Sequence, residues 1–227
     1  MDSHTERRLS SYAAVLWDMD GTLVDTEPAW IEAEYAVAAR YGGTWSQEHA
    51  LRLVGNDLLV SGRYLRDHLG IDVPPEDLVD ELHDDVVASV RQEVPWRPGA
   101  RELLASLREA GVPCALVTMS YTRLVEPIVA GLPEGTFAAT VTGDTVDRGK
   151  PHPEPYLTAA RMLDVLASEC LAVEDSPTGV ASAEAAGCTV LCVPLHVTVT
   201  PGPRTVLVDD LAGLTADSPL PTSQKAL

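Results

Sequence analysis

The sequence predicts an α/β protein in which a parallel β-sheet core is interrupted by an inserted all-helical unit. From Pro98 onward, apolar runs of strand length alternate with helical patterns, as in parallel sheets covered on both faces. A further apolar run at residues 14–17 precedes two acids and a turn, whereas residues 28–93 have helical periodicity and no convincing strand. We therefore expect a core, a helical unit, an N-terminal disordered tail and a C-terminal tail, at residues 12–27 with 94–212, 28–93, 1–11 and 213–227 respectively.

Two acids lie where the first apolar run ends. Asp18 follows the run directly, and Asp20 comes two residues later, before a glycine turn. Because a charged neighbour or a bound cation separates the pKa values of two nearby carboxyls, one can be an anionic nucleophile and the other a proton carrier. We expect Asp18 to be the nucleophile and Asp20 the acid/base. An isolated match of this kind can be a solvated turn, but a calcium loop is excluded because Leu23 and Val24 stand where further oxygen ligands should follow.

The inserted unit is expected to contain several helices. The first covers residues 28–40, beginning at a Glu-Pro pair and ending at a Gly-Gly pair. The others cover residues 48–53, 58–69 and 75–90. The last of them has acids in its first turn and an apolar stripe along one face, as expected of an amphipathic helix.

The remaining elements alternate along the second part of the chain. Expected helices cover residues 99–110, 122–129, 154–166 and 177–186. Expected strands cover residues 114–118, 138–142, 171–175, 189–193 and 205–208. Pro127 lies inside the second of these helices, which it must kink or shorten. In parallel sheets, ligands bind beyond the carboxyl ends of the strands, so the polar residues at those ends form the candidate site.

Polar side chains follow the later strands as well as the first. Thr118 ends the second strand, Lys150 lies in the loop after the third, and Glu174 and Asp175 end the fourth. Taken singly, these residues are ordinary for a strand end, a solvent-facing loop and the N-cap of a helix. Their joint arrival at successive strand ends favours a single site.

The acids of this site indicate a metal ion. Several carboxylates at one point cannot all stay ionised without a counter-cation, and oxygen ligands favour a hard ion. Magnesium is the expected cofactor, bound by Asp18, the main-chain carbonyl of Asp20 and Asp175, with Glu174 close by.

A phosphate group suits the remaining members of the site. Mg2+ and Lys150 can neutralise it, the Thr118 hydroxyl can hydrogen-bond it, and loop amides near Met19 and Met119 can point at it. In this chemistry the first acid attacks phosphorus to form an aspartyl phosphate. The second acid protonates the leaving oxygen and then deprotonates the water that hydrolyses the intermediate.

Composition excludes several classes of partner. The chain has 227 residues, is 45% hydrophobic and carries a formal charge of -18, which argues against nucleic acid or an anionic membrane as a partner. The first residues lack the apolar core of a signal peptide, and the 4 cysteines stand in or beside apolar runs, as buried free thiols do in a reducing cytosol. No histidine pair has metal-ligand spacing. We expect a cytoplasmic monomer acting on a small-molecule phosphate ester.

Four motifs in order resemble those of the haloacid dehalogenase-like superfamily, in its phosphatase and phosphomutase branch. They occupy residues 18–27, 117–120, 149–156 and 173–179. The resemblance implies a Rossmann-like core and a mobile helical cap inserted after the first motif. It also gives the family's catalytic roles to the residues already named, which are Asp18, Asp20, Thr118, Lys150 and Asp175.

Within this family the sequence favours a phosphatase. Asp20 counts against a true dehalogenase, which needs no proton donor for a phosphate ester. Trp30 stands where a β-phosphoglucomutase would have its cap histidine, which weakens the alternative of a phosphosugar mutase without excluding it. A sugar or polyol phosphate is the expected substrate, selected by Trp30 and by a cap turn containing Gly55 and Asn56. A phospho-acceptor signalling module is a further alternative, but its chain would be about half as long and would lack the helical insert.

Overall fold

A computed structural model describes residues 7–53 and 58–221 of the chain. By their internal contacts the residues form two compact units, one made of residues 1–25 and 96–227 and the other of residues 26–95. The first unit contains the β-sheet, and the second contains helices without a strand in its described part. The fold class expected from the sequence is therefore confirmed.

The sheet of the first unit has six parallel strands in the order β3-β2-β1-β4-β5-β6. Their bounds are Ala14–Trp17 (β1), Cys114–Val117 (β2), Ala139–Val141 (β3), Cys170–Glu174 (β4), Thr189–Cys192 (β5) and Thr205–Leu207 (β6). The first strand in the chain lies between β2 and β4, so the strand order reverses around it. In an open α/β sheet this reversal is where the connecting helices diverge to opposite faces and a crevice opens.

Four α-helices belong to the sheet unit. Their bounds are Ala100–Glu109 (α5), Thr122–Val129 (α6), Glu154–Met162 (α7) and Pro177–Ala186 (α8). The last of these begins and ends as its sequence dictates, because the Ser176 side chain accepts a hydrogen bond from the Gly179 amide and Gly187 adopts the left-handed conformation after it. Pro127 lies within α6, a helix of only 8 residues.

The helical unit is built from α1 (Glu27–Arg40), α2 (Gln47–Leu53), α3 (Leu58–Leu69) and α4 (Pro75–Gln92). The long α4 packs against both α1 and α3. Its apolar stripe is buried, as expected, through Leu78, Leu82 and Val86. Gly55 and Asn56, which the sequence analysis placed in a cap turn, lie outside the described residues.

The segments at residues 7–11 and 213–221 differ from the tails expected. Leu9 is fully buried, and its amide donates to the Ser218 carbonyl at 3.0 Å. The Leu220 amide donates to the Arg7 carbonyl at 2.7 Å. Ala216, in the same C-terminal segment, is buried. Each segment has too few apolar residues to predict an element from its own sequence. The order comes from hydrogen bonds between the backbone N–H and C=O groups of the two segments.

None of the helices in the described ranges has the length and apolar character needed to cross a lipid bilayer. The 4 cysteines are free thiols, and all of them are buried in the sheet unit.

Candidate active site

The turn after β1 is built around one main-chain carbonyl. The Asp18 amide still donates to β4, through the Val173 carbonyl at 3.0 Å. The Met19 carbonyl then accepts the amides of the three residues from Thr22 to Val24 at 3.2, 2.9 and 3.1 Å, while the Met19 side chain is fully buried. This closes the chain into a tight turn, so the two acids leave the strand in fixed directions.

Gly21 makes this turn possible. Its φ is +84°, and a Cβ at this position would overlap the Asp175 carboxylate. The glycine of the first motif and the acid of the fourth are therefore adjacent in space, as the sequence predicts for groups at neighbouring strand ends.

A buried ion-pair triad forms the centre of the site. The Lys150 Nζ lies 2.7 Å from Asp18 Oδ1 and 2.6 Å from Glu174 Oε1. All three side chains are almost completely excluded from solvent. Charges of this kind are retained in a protein interior only where they are paired and hydrogen-bonded.

The Glu174 carboxylate is hydrogen-bonded on both oxygens. Oε1 accepts from Lys150 Nζ at 2.6 Å and from the Tyr156 hydroxyl at 2.7 Å. Oε2 accepts from the Asp175 amide at 3.1 Å and from the Ser176 amide and hydroxyl at 3.4 and 3.3 Å. Gly179 packs so closely that a Cβ there would overlap this carboxylate. Glu174 is thus held in one orientation.

Asp20 accepts hydrogen bonds from side-chain hydroxyls. Its Oδ2 accepts from the Ser120 hydroxyl at 2.7 Å and from the Thr118 hydroxyl at 3.2 Å. The Thr118 hydroxyl also accepts the Ser120 amide at 3.0 Å. Asp20 is half-buried and Asp18 is buried, so the two acids of the first motif lie in different environments.

The loop that carries Lys150 is anchored on the end of β2. The Lys150 amide donates to the Met119 sulfur at 3.2 Å, and Gly143 packs against the Met119 carbonyl without room for a Cβ. Met119, expected to contribute a phosphate-binding amide, is therefore also the residue that positions the lysine loop.

Three buried acids fit a hard metal ion. Asp18, Glu174 and Asp175 each place a carboxylate oxygen within 4.8 Å of the others. Oδ2 of Asp18 is buried and accepts no hydrogen bond from the described part of the chain. Burying such an oxygen is costly unless a bound group interacts with it, and Mg2+ prefers carboxylate oxygens as ligands. The residues therefore fit the expected cofactor.

Burial dominates the electrostatics of these acids. Burial, opposed by Lys150 and assisted by Glu174, raises the pKa of Asp18 from 3.8 to about 7. It raises the pKa of Asp175 from 3.8 to about 9, with Asp18 and Glu174 adding to the shift. Burial alone would lower the pKa of Lys150, but its two carboxylate partners outweigh that effect and raise it above 10.5. The site thus has a surplus of negative charge.

The geometry also includes residues that the sequence analysis did not assign to the site. Ser120 shares its motif with Thr118 and points to the same acid, a pairing that their spacing of two could have indicated. Tyr156 closes the third motif but was given no role. Arg97 has no motif at all: it is buried, and its Nη1 donates to the carbonyls of Gly21 and Val193, the latter at 2.8 Å.

The expected specificity residues belong to the helical unit or lie outside the described residues. Trp30 lies in α1 of the helical unit, where its ring makes an edge contact with His83 at a centroid distance of 5.3 Å. The other two, Gly55 and Asn56, lie outside the described residues.

Known proteins resemble the chain over most of its length. Residues 12–187 match the haloacid dehalogenase-like hydrolases. Hexitol phosphatase A of Escherichia coli is 37% identical over 183 residues, which are 78% of this chain and 81% of that protein. The phosphorylated carbohydrates phosphatase of Thermotoga maritima is 33% identical over 175 residues, covering 77% of this chain and 81% of that protein. The crystal structure of CbbY from Rhodobacter sphaeroides in complex with phosphate has a TM-score of 0.77 at 28% identity, covering 89% of this chain and 96% of that one.

Proposed function

This chain belongs to the haloacid dehalogenase-like hydrolases, and we propose that it is a Mg2+-dependent phosphatase of a small sugar or polyol phosphate that works through an aspartyl phosphate on Asp18. The observation that carries the proposal is the position of the Lys150 ammonium, 2.7 Å from Asp18 Oδ1 in a buried site. An ammonium in that place can neutralise a phosphoryl group exactly where a carboxylate nucleophile can reach its phosphorus.

Two steps follow from this arrangement. Asp18 attacks phosphorus, so that a carboxylate-phosphorus bond forms as the ester bond breaks, and Asp20 gives its proton to the departing alkoxide. Asp20 then removes a proton from water, which attacks phosphorus and releases inorganic phosphate and the free Asp18 carboxylate. Lys150 and the Thr118 hydroxyl stabilise the phosphoryl oxygens in both steps.

Asp18, Asp175 and the main-chain carbonyl of Asp20 would hold the metal ion. When bound, Mg2+ supplies positive charge to the phosphoryl oxygens and to the surplus of buried carboxylates. We propose that Glu174 positions Lys150 and does not coordinate the ion directly, because both of its oxygens already accept hydrogen bonds.

The environments of the two acids support their division of labour. Asp18 is buried beside the Lys150 ammonium, which favours the charged form of the nucleophile against the opposing effect of burial. Asp20 is half-buried and held by the Thr118 and Ser120 hydroxyls, so it can exchange protons with a leaving group and with water.

The substrate class rests on relatives whose names specify hexitol phosphates and phosphorylated carbohydrates. Selection among such esters is proposed to come from the helical unit, with Trp30 and the segment containing Gly55 and Asn56 as the candidates. If Trp30→Ala and Asn56→Ala leave the relative rates across a sugar-phosphate panel unchanged, selection lies elsewhere.

The proposed function is tested with the pure protein and a panel of hexose, hexitol, glycerol and glycolate phosphates. We expect phosphate release that requires Mg2+ and is abolished by EDTA and by Asp18→Asn. A sugar 1,6-bisphosphate is added in a parallel arm, because a mutase would then interconvert sugar monophosphates. Interconversion faster than phosphate release would show that the chain is a mutase and not a phosphatase. No turnover of any ester would contradict both activities.

A further inference from the structure

We propose that Tyr156 is a positioning residue for the phosphoryl site: its hydroxyl fixes Glu174, and Glu174 in turn directs the Lys150 ammonium. The inference rests on the proposed function of the site and adds a residue to it. Tyr156 is fully buried, and its hydroxyl lies 2.7 Å from the same Glu174 oxygen that accepts from Lys150.

Both oxygens of Glu174 are held by hydrogen bonds. Its Oε2 is fixed by the main chain at the start of α8, through the Asp175 and Ser176 amides. Its Oε1 has two side-chain donors, Lys150 and Tyr156. A carboxylate oxygen divides its negative charge between the donors it accepts, so the tyrosine hydroxyl limits how strongly Glu174 attracts the lysine.

The Lys150 ammonium donates to two carboxylates. An ammonium has three N–H donors. Asp18 and Glu174 account for two of them, at 2.7 and 2.6 Å, which leaves one for a phosphoryl oxygen. The Tyr156 ring lies with its centroid 5.2 Å from Nζ, within the range of a cation–π contact. Tyr156 therefore acts on the ammonium directly through its ring and indirectly through its hydroxyl.

The two contributions separate in Tyr156→Phe, which keeps the ring and removes the hydroxyl. Lys150 then becomes the only side-chain donor to Glu174 Oε1 among the contacts described, so the ammonium is drawn toward Glu174 and away from the phosphoryl group. We expect weaker binding of phosphate and slower turnover, whereas the metal ligands Asp18 and Asp175 are left unchanged.

Steady-state kinetics of Y156F with the best substrate of the panel tests this. We expect kcat/KM to fall by about 10–100-fold, the range typical of groups that orient a ligand-binding residue. Inhibition by inorganic phosphate should weaken in parallel, and the Mg2+ concentration for half-activation should stay within about twofold of wild type. Tyr12→Phe is the matched control, since Tyr12 is a buried tyrosine of the same unit whose ring carries the Arg7 guanidinium at 3.9 Å. It should leave all three quantities unchanged.

A second variant, Glu174→Gln, keeps the inference testable even if Y156F does not fold. Glu174→Gln should weaken phosphate inhibition more than it weakens activation by Mg2+. Y156F introduced into that variant should cost less than about twofold further, because Tyr156 acts through Glu174. The inference is overturned if Y156F leaves phosphate inhibition unchanged, if it costs the same in both backgrounds, or if E174Q acts mainly on Mg2+. Since wild-type turnover is measured alongside, failure of the proposed function would be seen separately, as an inactive wild type.

Discussion

Both compact units contain buried carboxyl groups, but the partners of those carboxyl groups differ in charge. In the sheet unit, Asp18, Glu174 and Asp175 lie together around the Lys150 ammonium. In the helical unit, Glu34 is 6% exposed and accepts a hydrogen bond from the Trp45 indole at 3.0 Å, an uncharged donor. Burial raises the pKa of Glu34 from 4.5 to about 7, against the opposing effect of Trp45.

The two units also place their ion pairs differently. Arg40 of the helical unit pairs with Glu81 at 3.0 Å and with Asp85 at 2.8 Å, and these side chains are about a third or more exposed, at 31–43%. Pairs of this kind contribute only about 0–1 kcal/mol each. Lys150 and its partners are buried, where removing one member leaves an uncompensated charge.

Burial alone therefore does not mark a functional acid. Glu34, whose hydrogen-bond donor is uncharged, can be neutral below the pKa of about 7 that burial gives it. Three carboxyls around one ammonium outnumber it, so they must either hold protons or be balanced by a further cation. The sheet unit is therefore the one whose stability and activity should respond to Mg2+.

The largest contrast is expected between Asp18→Asn and Glu34→Gln, which make the same chemical change in the two units. An amide cannot attack phosphorus, so D18N should lose about 10⁴-fold or more in kcat. E34Q should keep the wild-type kcat, because Glu34 lies among the helices of the other unit. Hydrolysis of an aryl phosphate with Mg2+ measures both, and similar losses in the two variants would contradict the comparison.

Asp20→Asn should lower kcat by about 10²–10⁴-fold, the usual contribution of a general acid/base. The loss should be larger for a polyol phosphate than for p-nitrophenyl phosphate, whose leaving group needs no proton. Ser120→Ala is the control: it removes one hydrogen bond to Asp20 but leaves the carboxylate, so it should cost much less. A D20N enzyme with full activity on the polyol phosphate would remove Asp20 from the mechanism.

Gly179→Ala should lower kcat by about 10²-fold, because the added methyl overlaps the Glu174 carboxylate and displaces the group that directs Lys150. Gly131→Ala is matched to it, since a Cβ there meets the Ile128 carbonyl at an ordinary 3.4 Å. Activity and thermal unfolding of both variants are compared. Equal activity in the two would show that the orientation of Glu174 is unimportant.

Metal-free protein should lose stability as the pH rises. The pKa of Asp18 is raised from 3.8 to about 7 and that of Asp175 to about 9. In these intervals the folded state holds protons that the unfolded chain has released, so the free energy of unfolding decreases from about pH 4 upward. Mg2+ binds the deprotonated acids, so it should stabilise more at pH 8 than at pH 6.

At a Mg2+ concentration of 100 Kd the stabilisation is about 2.7 kcal/mol, which corresponds to roughly 5–10 °C in Tm. Calorimetry with EDTA and with Mg2+ at both pH values measures it. Asp175→Asn should reduce the Mg2+ effect, and a Tm independent of Mg2+ at pH 8 would contradict the metal assignment.

The smallest change in the response to Mg2+ is expected for Glu34→Gln in the same experiment. The raised pKa of Glu34 makes its contribution to stability decrease from about pH 4.5 to about pH 7. Glutamine cannot ionise, so the variant should be more stable than wild type at pH 8 by up to about 3 kcal/mol, or about 10 °C in Tm. Mg2+ should stabilise both equally. A Mg2+ effect that depends on Glu34 would contradict the assignment of the Mg2+ response to the acids of the sheet unit.

The sequence sufficed to propose much of the site because its acids stand at or just after strand ends and its lysine lies in a loop that follows a strand. Asp18, Lys150 and Asp175 could be brought together once a parallel sheet was predicted, since neighbouring strands end at one edge. Secondary structure in the sheet unit was predictable for the same reason: buried parallel strands are continuous apolar runs.

Other features depend on long-range contacts that leave no local pattern. Arg97 reaches the first turn from a loop 76 residues away, and nothing around it in sequence marks a ligand. The Lys150 and Tyr156 donors reach Glu174 Oε1 only once the segments that carry them have packed on the sheet unit. The paired segments at residues 7–11 and 213–221 look like tails separately, because neither has the periodicity of an element.

The most direct test of the central claim is to trap the covalent intermediate. The enzyme is quenched with acid during turnover of a polyol phosphate with Mg2+, digested, and examined by mass spectrometry with and without hydroxylamine. We expect one phosphoryl group on the peptide containing Asp18, removed by hydroxylamine and absent from the D18N variant. Continued turnover by D18N, or a phosphoryl group on any other residue, would contradict it.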